Sequence, residues 1–211
     1  MDLNLSKNKY KGRLIVFEGI DGSGKTMSAG YVIDRLRKEK YFVNRYFEPT
    51  NENYGKILRD GFAARKRFSP GEEISLFLLD RECNKICNLD TNLKAGAVVI
   101  LDRYFYSTIA YQGHNVDPQL LFDINKPVII NPDLTLIFDV EVETALERIR
   151  IGRERSTSME EKENLLRAQK MYRSMTADNI KIIDANKDLE SMYEDVYEKV
   201  ISIIKEKKYD L

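Results

Sequence analysis

An eight-residue segment between an apolar run and a helical pattern matches G-x-x-x-x-G-K-[ST], the phosphate-binding loop that joins a strand to a helix. Its residues are Gly19, Ile20, Asp21, Gly22, Ser23, Gly24, Lys25 and Thr26. Glycines let the backbone turn so that several N–H groups face one anion, and the next helix adds its positive end. We expect Lys25 to reach the β- and γ-phosphates of a nucleotide and the Thr26 hydroxyl to bind Mg²⁺. A purely structural glycine-rich turn is the alternative.

Apolar, β-rich runs alternate with helical patterns along the rest of the chain. The predicted strands are Leu14–Phe17, Tyr41–Phe47, Ala97–Leu101, Leu134–Phe138 and Ile180–Ile183. The predicted helices are Lys25–Lys38, Pro70–Leu89, Val142–Ile151, Glu160–Asn179 and Leu189–Lys207. Ser69 and Glu72 form a capping-box pattern around the second of these helix starts. Such alternation indicates an α/β fold with a parallel sheet between helices, whose ligands bind at the carboxyl ends of the strands.

The composition limits the domain organisation and the partners. No repeat or linker divides the 211 residues, so residues 11–211 are predicted to form a single domain after a flexible tail at 1–10. Basic and acidic residues both number 34, which gives no general attraction to nucleic acid or to an anionic membrane. No apolar run approaches the ~20 residues that cross a bilayer, and the first ten residues do not resemble a signal peptide. A cytoplasmic protein without nucleic-acid or membrane partners is therefore expected.

Acidic and basic side chains adjoin the predicted phosphate site. Asp102 ends the third apolar run, where a carboxylate can hold Mg²⁺ directly or through water. Arg103 follows it and would face a substrate phosphate, which a guanidinium binds with two hydrogen bonds. A surface ion pair is the alternative. Asp21 would repel phosphate, so it is predicted to meet a metal, a cation or a hydroxyl, unless it only caps a turn.

Two pairs of side chains lie one helical turn apart. Phe77 and Arg81 share a helix face, as a ring that stacks on a base and a guanidinium that bonds its edge would do. A core phenylalanine beside an exposed arginine is the alternative. Ser107 and Tyr111 form a similar pair after Arg103, and a solvated helix face with one packed tyrosine is the alternative there.

An arginine-dense segment follows the predicted helix Val142–Ile151 and suggests a lid at about residues 148–160. Positive groups delivered by a closing loop stabilise a phosphoryl group during transfer. Arg153 and Arg155 are the best candidates because Gly152 provides a hinge before them. A solvated basic loop is the alternative.

Taken together, these segments resemble the thymidylate kinase family. The matching segments are Phe17–Thr26, Phe77–Arg81, Asp102–Tyr104, Ser107, Ala110–Gly113, Pro132–Asp139 and Asp184–Asn186. The resemblance implies a P-loop NTPase fold with a five-stranded parallel sheet, helices on both faces and an arginine-rich lid. It further implies transfer of the γ-phosphate of ATP to dTMP, giving dTDP, with Mg²⁺ as cofactor and commonly a homodimer.

The resemblance also implies roles for individual residues. Phe77 would stack on thymine, Arg81 would contact the pyrimidine edge, and Tyr111 would lie against the sugar. The implied catalytic residues are Asp21, Lys25, Arg103, Arg153 and Arg155. ATP would contact residues 19–26 and Asn186. The implied acceptor-binding residues are Glu48, Phe77, Arg81, Arg103, Ser107, Thr108 and Tyr111, and the implied metal ligands are Thr26 and Asp102.

The chain departs from the family pattern after the second strand, where many members have Arg-Glu-Pro-Gly-Gly-Thr and this chain has Phe47-Glu48-Pro49-Thr50. Ser23 stands where some members carry a loop arginine, so we expect the lid to supply the catalytic charge. Three other functions stay open. They are a deoxynucleoside kinase with Glu18 or Asp21 as base, a nucleotide-dependent switch without a second substrate, and a kinase of another nucleoside monophosphate.

Overall fold

The structure is a computed structural model that describes residues 1–6, 8–66, 68–153 and 159–206, without the side chains of 152, 153 and 159–161. Within these residues, five parallel strands form one sheet in the order β2-β3-β1-β4-β5. The strands are β1 (Arg13–Gly19), β2 (Val43–Phe47), β3 (Val98–Asp102), β4 (Leu134–Asp139) and β5 (Ile180–Asp184). The predicted five-stranded parallel sheet is therefore confirmed.

Helices connect the strands and pack around the sheet. They are α1 (Lys25–Lys38), α2 (Asn53–Ala63), α3 (Pro70–Asn84), α4 (Asp90–Lys94), α5 (Phe105–Gln112), α6 (Pro118–Asn125), α7 (Val142–Arg153), α8 (Met159–Ser174) and α9 (Leu189–Lys205). A π-helical turn at Lys85–Leu89 joins α3 to α4, and a 3-10 turn at Lys126–Val128 follows α6. The sequence patterns did not predict α2 or α6. A start signal for α6 is nevertheless present, since the Asp117 side chain accepts a hydrogen bond from the Gln119 N–H.

The pairing of the central strands determines where the loop after β1 lies. Strand β1 pairs with β3 on one side and β4 on the other, and Leu14–Phe17 is fully buried. Phe17 is opposite Asp102, so β1 and β3 end side by side. This register brings residues 19–26 next to Asp102 and Arg103 at the carboxyl ends of the strands, where ligands of parallel sheets bind.

The first residues of the chain pack against the end of α8. Leu3 is fully buried, its N–H donates to the Thr176 carbonyl oxygen at 2.8 Å, and the Thr176 N–H donates to the Met1 carbonyl oxygen at 2.8 Å. This differs from the flexible tail expected for residues 1–10. Burial of the Leu3 side chain supplies the reason, because it removes apolar surface from water. No helix in the described ranges is both long and apolar enough to cross a membrane.

Candidate active site

Lys25 folds back over the loop that precedes it. Its Nζ donates to the carbonyl oxygens of Gly19 at 3.0 Å and Ile20 at 2.8 Å, and to the Ser23 hydroxyl at 3.2 Å. Burial lowers the pKa of the ammonium group to about 8, as does the nearby Arg103 charge, while Asp21 and other carboxylates oppose the shift. The ammonium group is thus desolvated and held at the loop, ready to exchange these neutral partners for an anion.

The loop lies close to α7 because Gly22 has no side chain. Gly22 has φ of +78°, a left-handed conformation that L-residues rarely adopt, and a Cβ there would lie 2.4 Å from the Ala145 carbonyl oxygen. A larger residue would push the loop away from α7 and disturb the amides that precede α1. The close packing of α7 against the loop therefore explains why glycine is required at position 22.

Asp102 connects the loop helix to the neighbouring strand. Its Oδ2 accepts hydrogen bonds from the Thr26 hydroxyl at 2.7 Å and from Arg45 Nη2 at 3.3 Å. A hydroxyl and a carboxylate side by side provide the oxygen ligands that Mg²⁺ prefers. Across the described part of the chain, no group of three or more His, Cys, Asp or Glu residues is placed to hold a metal ion. These residues fit a Mg²⁺ ion that also draws ligands from water and substrate phosphates. No local sequence pattern identifies Arg45 as a partner of Asp102.

Arg103 links the loop to α5. Its backbone has φ of +69°, an uncommon conformation for a non-glycine residue, and its N–H donates to the Phe17 carbonyl oxygen at 2.9 Å. Nη2 donates to Asp21 Oδ1 at 2.6 Å, and Nη1 donates to Ser107 Oγ at 3.0 Å. The guanidinium carbon lies 5.3 Å from the centroid of the Tyr111 ring. Asp21 therefore meets a cation, one of the three partners expected for it, and Arg103 faces the loop.

Glu18 lies behind Arg103 and is fully buried. Its Oε1 accepts from the Tyr104 N–H at 2.7 Å and the Ser107 N–H at 3.3 Å, and Oε2 accepts from the Ser107 hydroxyl at 2.7 Å and the Tyr172 hydroxyl at 2.9 Å. Burial raises the pKa of the carboxyl group, and the Arg103 charge together with these hydrogen bonds opposes the shift. Because donors surround both oxygens, this geometry does not favour Glu18 as a general base.

Arg81 and Glu48 form a buried ion pair. Arg81 Nε donates to Glu48 Oε2 at 2.8 Å, and its Nη atoms donate to Asn125 Oδ1 and, at 3.3 Å, to Thr108 Oγ1. Asn84 Nδ2 adds a hydrogen bond to Glu48 Oε1 at 3.2 Å. Burial raises the Glu48 pKa to about 7, although Arg81 lowers it in part. With Arg81 only 1% exposed, the alternative of an exposed arginine beside a core phenylalanine is wrong.

Phe77 lies at the other end of this helix face and is half-buried, with its ring centroid 6.4 Å from that of Phe62. Thr108 is fully buried and Tyr111 half-buried on α5. The structure thus places Phe77 and Arg81 on α3 and Ser107, Thr108 and Tyr111 on α5, and these helices contact each other. Their contacts with a nucleotide stay predictions.

The segment that departs from the family pattern is held against α3. The Thr50 N–H and hydroxyl donate to Asp80 at 2.8 Å and 2.5 Å. Arg59 of α2 lies with its guanidinium carbon 4.7 Å from the centroid of the Phe47 ring and donates to the Pro49 carbonyl oxygen at 2.7 Å. A cleft of about 240 Å³ adjoins the segment. Its lining includes Arg45, Phe47, Thr50, Asp80, Asn84, Cys83 and Cys87. No local sequence pattern predicts the Arg59 contacts, because they depend on how α2 packs.

The turn after β5 lies near the phosphate-binding loop, on the side of α7. Asn186 Oδ1 accepts from the Glu141 N–H at 2.9 Å, and Asn186 Nδ2 donates to Asp184 Oδ1 at 3.0 Å. Arg148 of α7 donates to the Ala185 carbonyl oxygen at 3.1 Å. Asn186 therefore shapes this turn, and its contact with ATP stays a prediction. Arg155 and the side chain of Arg153 lie outside the described residues.

The chain is similar in sequence to thymidylate kinases from several organisms. The profile of the thymidylate kinase family matches residues 17–196. A probable thymidylate kinase of Archaeoglobus fulgidus is 37% identical over 196 residues, which cover 92% of this chain and 98% of that protein. A thymidylate kinase of Brachyspira hyodysenteriae is 37% identical over 94% of this chain and 96% of its own length. A thymidylate kinase of Akkermansia muciniphila is 39% identical over 83% of this chain and 85% of its own length.

Proposed function

The chain belongs to the thymidylate kinase family, and we propose that it transfers the γ-phosphate of ATP to dTMP to give dTDP. One observation carries the proposal. The Arg103 guanidinium faces the phosphate-binding loop and is joined to it by the Asp21 contact at 2.6 Å. One phosphate group bound at the loop with Lys25 and a second bound at Arg103 would lie close enough for direct transfer. A kinase whose acceptor carries no phosphate has no need of an arginine at the position of Arg103.

The donor phosphates bind at the loop in this proposal. Backbone N–H groups of residues 19–26 and the positive end of α1 face the anion. The Lys25 ammonium group exchanges its hydrogen bonds to the Gly19 and Ile20 carbonyl oxygens for phosphate oxygens, which are stronger acceptors because they are charged. The same negative charge keeps Lys25 protonated and reverses the lowering of its pKa.

Thr26 and Asp102 would hold Mg²⁺, Thr26 through its hydroxyl and Asp102 directly or through water. Held there, the ion would supply positive charge that offsets the negative charge of the phosphates during transfer. Arg45 contacts the same carboxylate oxygen as Thr26, so it helps to fix the orientation of the Asp102 side chain.

The acceptor would lie between α3 and α5. Arg103 binds its phosphate with two N–H groups, and Tyr111, which packs against the guanidinium, lies beside the sugar. The Phe77 ring stacks on the base. Arg81 reaches the base edge if Nη2 exchanges its 3.3 Å contact with Thr108, the longest of its hydrogen bonds. No general base is needed because a phosphate oxygen of the acceptor is already ionised.

The lid arginines would complete the catalytic charge. Gly152, expected from the sequence to be a hinge, lies within α7, and Arg153 is the last residue of that helix. Arg155 stands two positions further along the sequence, and Ser23 leaves the loop without an arginine of its own. We expect the double variant Arg153→Ala/Arg155→Ala to lower kcat at least about tenfold with little change in the KM for dTMP. Steady-state kinetics will measure this, with Arg167→Ala on exposed α8 surface as the control. An unchanged kcat would place the catalytic cation elsewhere.

The decisive test of the function is an ADP-release assay with Mg·ATP and each common nucleoside monophosphate, with thymidine as a further acceptor. We expect dTMP to give the highest kcat/KM and thymidine to give no release above background. Faster release with thymidine would identify a deoxynucleoside kinase, and release that no acceptor stimulates would identify a nucleotide switch. Preference for another monophosphate would retain the chemistry and change the substrate.

We further propose a single domain over residues 11–211, a cytoplasmic location and a homodimer, as is common in the family. For the homodimer interface we propose the surfaces of α2, α3 and α6, which expose some of the apolar side chains of the chain. These are Ile57, Phe62, Leu79 and Leu120. Association would remove this apolar surface from water.

A further inference from the structure

Glu18 and Tyr172 both contact the Ser107 hydroxyl, which accepts a hydrogen bond from the Arg103 side chain. Neither residue has to contact a substrate in the proposed function. We propose that both are positioning residues that hold the Arg103 guanidinium in the orientation that binds the acceptor phosphate, acting through Ser107. The inference rests on the proposed function, because it assigns a purpose to the direction in which Arg103 points.

Glu18, a residue of strand β1, caps the N-terminus of helix α5. The first N–H groups of a helix have no partners within it, and the residue before α5, Tyr104, provides no side-chain cap. Glu18 Oε1 accepts instead from the N–H groups of Tyr104 and Ser107, at 2.7 Å and 3.3 Å. Its negative charge also suits the positive end of the helix. The carboxylate therefore fixes the backbone directly after Arg103, whose own φ is +69°.

The charge of Glu18 also determines how Ser107 bonds to Arg103. A serine hydroxyl has one proton to donate and lone pairs that accept. That proton goes to Glu18 Oε2 at 2.7 Å, so a lone pair of Ser107 Oγ faces Arg103 Nη1 at 3.0 Å. An amide at position 18 would have an NH₂ group among these donors. Ser107 would then accept from the amide, and its proton would be released to turn toward the Tyr172 hydroxyl or the guanidinium. The hydroxyl would lose the single orientation in which it accepts from Arg103.

Tyr172 brings a third element into the cluster. It lies on α8, the helix that follows residues 154–158, and is 2% exposed. Its hydroxyl donates to Glu18 Oε2 at 2.9 Å and lies 2.9 Å from Ser107 Oγ. One hydroxyl thus ties the helix after the proposed lid to both groups that hold Arg103. Removing it should loosen Arg103 without removing any group that touches a nucleotide.

The test uses Tyr172→Phe and Glu18→Gln, two changes that keep the side-chain shape, and Tyr197→Phe as the matched control. Tyr197 also donates to a carboxylate, that of Glu39, but contacts α1 away from the loop. We expect the KM for dTMP to rise about threefold in Tyr172→Phe and about tenfold in Glu18→Gln, as loss of a neutral and of a charged hydrogen-bond partner would cause. The KM for ATP should stay within about twofold of the wild-type value. Tyr197→Phe should match the wild type.

Calorimetric binding of dTMP and thymidine separates positioning from a general effect on structure. Thymidine has no phosphate, so its affinity should be unchanged in both variants while dTMP binds more weakly. Equal losses for both ligands, or wild-type dTMP affinity in a folded Tyr172→Phe protein, would overturn the inference even if Glu18→Gln does not fold. A wild-type protein that neither binds nor phosphorylates dTMP would contradict the proposed function instead.

Discussion

Replacing Lys25 with methionine is expected to lower kcat about a thousandfold or more, because the variant loses the cation that contacts the phosphates during transfer. The fold should persist. Lys25 is buried and its pKa is lowered to about 8 by that burial, so methionine removes an unfavourable desolvation of charge. The opposing cost is the loss of partners for the Gly19 and Ile20 carbonyl oxygens. Single-turnover kinetics and thermal unfolding will measure the two effects separately.

Lys38→Met provides the matched control, since Lys38 lies at the opposite end of the same helix and is exposed. Its kcat should equal that of the wild type. If Lys25→Met transfers phosphate at a near-normal rate, residues 19–26 do not form the donor site. If the protein fails to fold, the ammonium group is needed mainly for its three contacts within the loop.

Replacing Arg81 with methionine is expected to reduce the free energy of unfolding by about 3–5 kcal/mol, because Glu48 would keep its burial and lose its counter-ion. The loss should grow as the pH rises. Burial already raises the Glu48 pKa to about 7, and removal of Arg81 raises it further. The folded variant then retains a proton that the unfolded chain releases near pH 4.5, so stability falls above that pH. Urea unfolding at about pH 5.5 and pH 8 will measure the difference.

Two variants test the explanation for Arg81. Glu48→Gln combined with Arg81→Met should recover part of the stability, since the buried charge is gone and the Asn84 hydrogen bond can remain. Arg167→Met breaks an exposed pair with Glu163 and should change stability by less than about 1 kcal/mol. A pH-independent loss in Arg81→Met, or no recovery in the double variant, would show that Glu48 charge is not the cause.

Much of the fold was predictable because its signals are local. Helix α1 has the bounds expected for it, and the capping box of Ser69 and Glu72 is present at the start of α3. The family resemblance inferred from the motifs is confirmed. Helix α2 was missed because glycine is a poor helix former. Gly55 is nevertheless required there, since a Cβ would lie 2.5 Å from the Thr50 carbonyl oxygen.

The candidate site could be predicted only where its residues form local motifs. The phosphate-binding loop and the adjacent Asp102 and Arg103 follow from motifs, and their positions at the sheet edge agree with that analysis. The pairing of Glu48 with Arg81 and of Glu18 with Tyr172 joins residues that are 33 and 154 positions apart. Such pairs depend on how strands and helices pack, and nothing near either residue in the sequence identifies its partner.

The π-helical turn at Lys85–Leu89 changes the direction in which side chains point between α3 and α4, which it joins. Before the turn, Arg81 and Asn84 contact Glu48. Leu89 at the end of the turn and Leu93 after it are fully buried in the apolar core. Each residue of an α-helix advances about 100° around the axis, and a π turn accommodates one extra residue. Deleting a single residue there would rotate α4 relative to α3, so either the ion pair or the leucines would face the wrong neighbours.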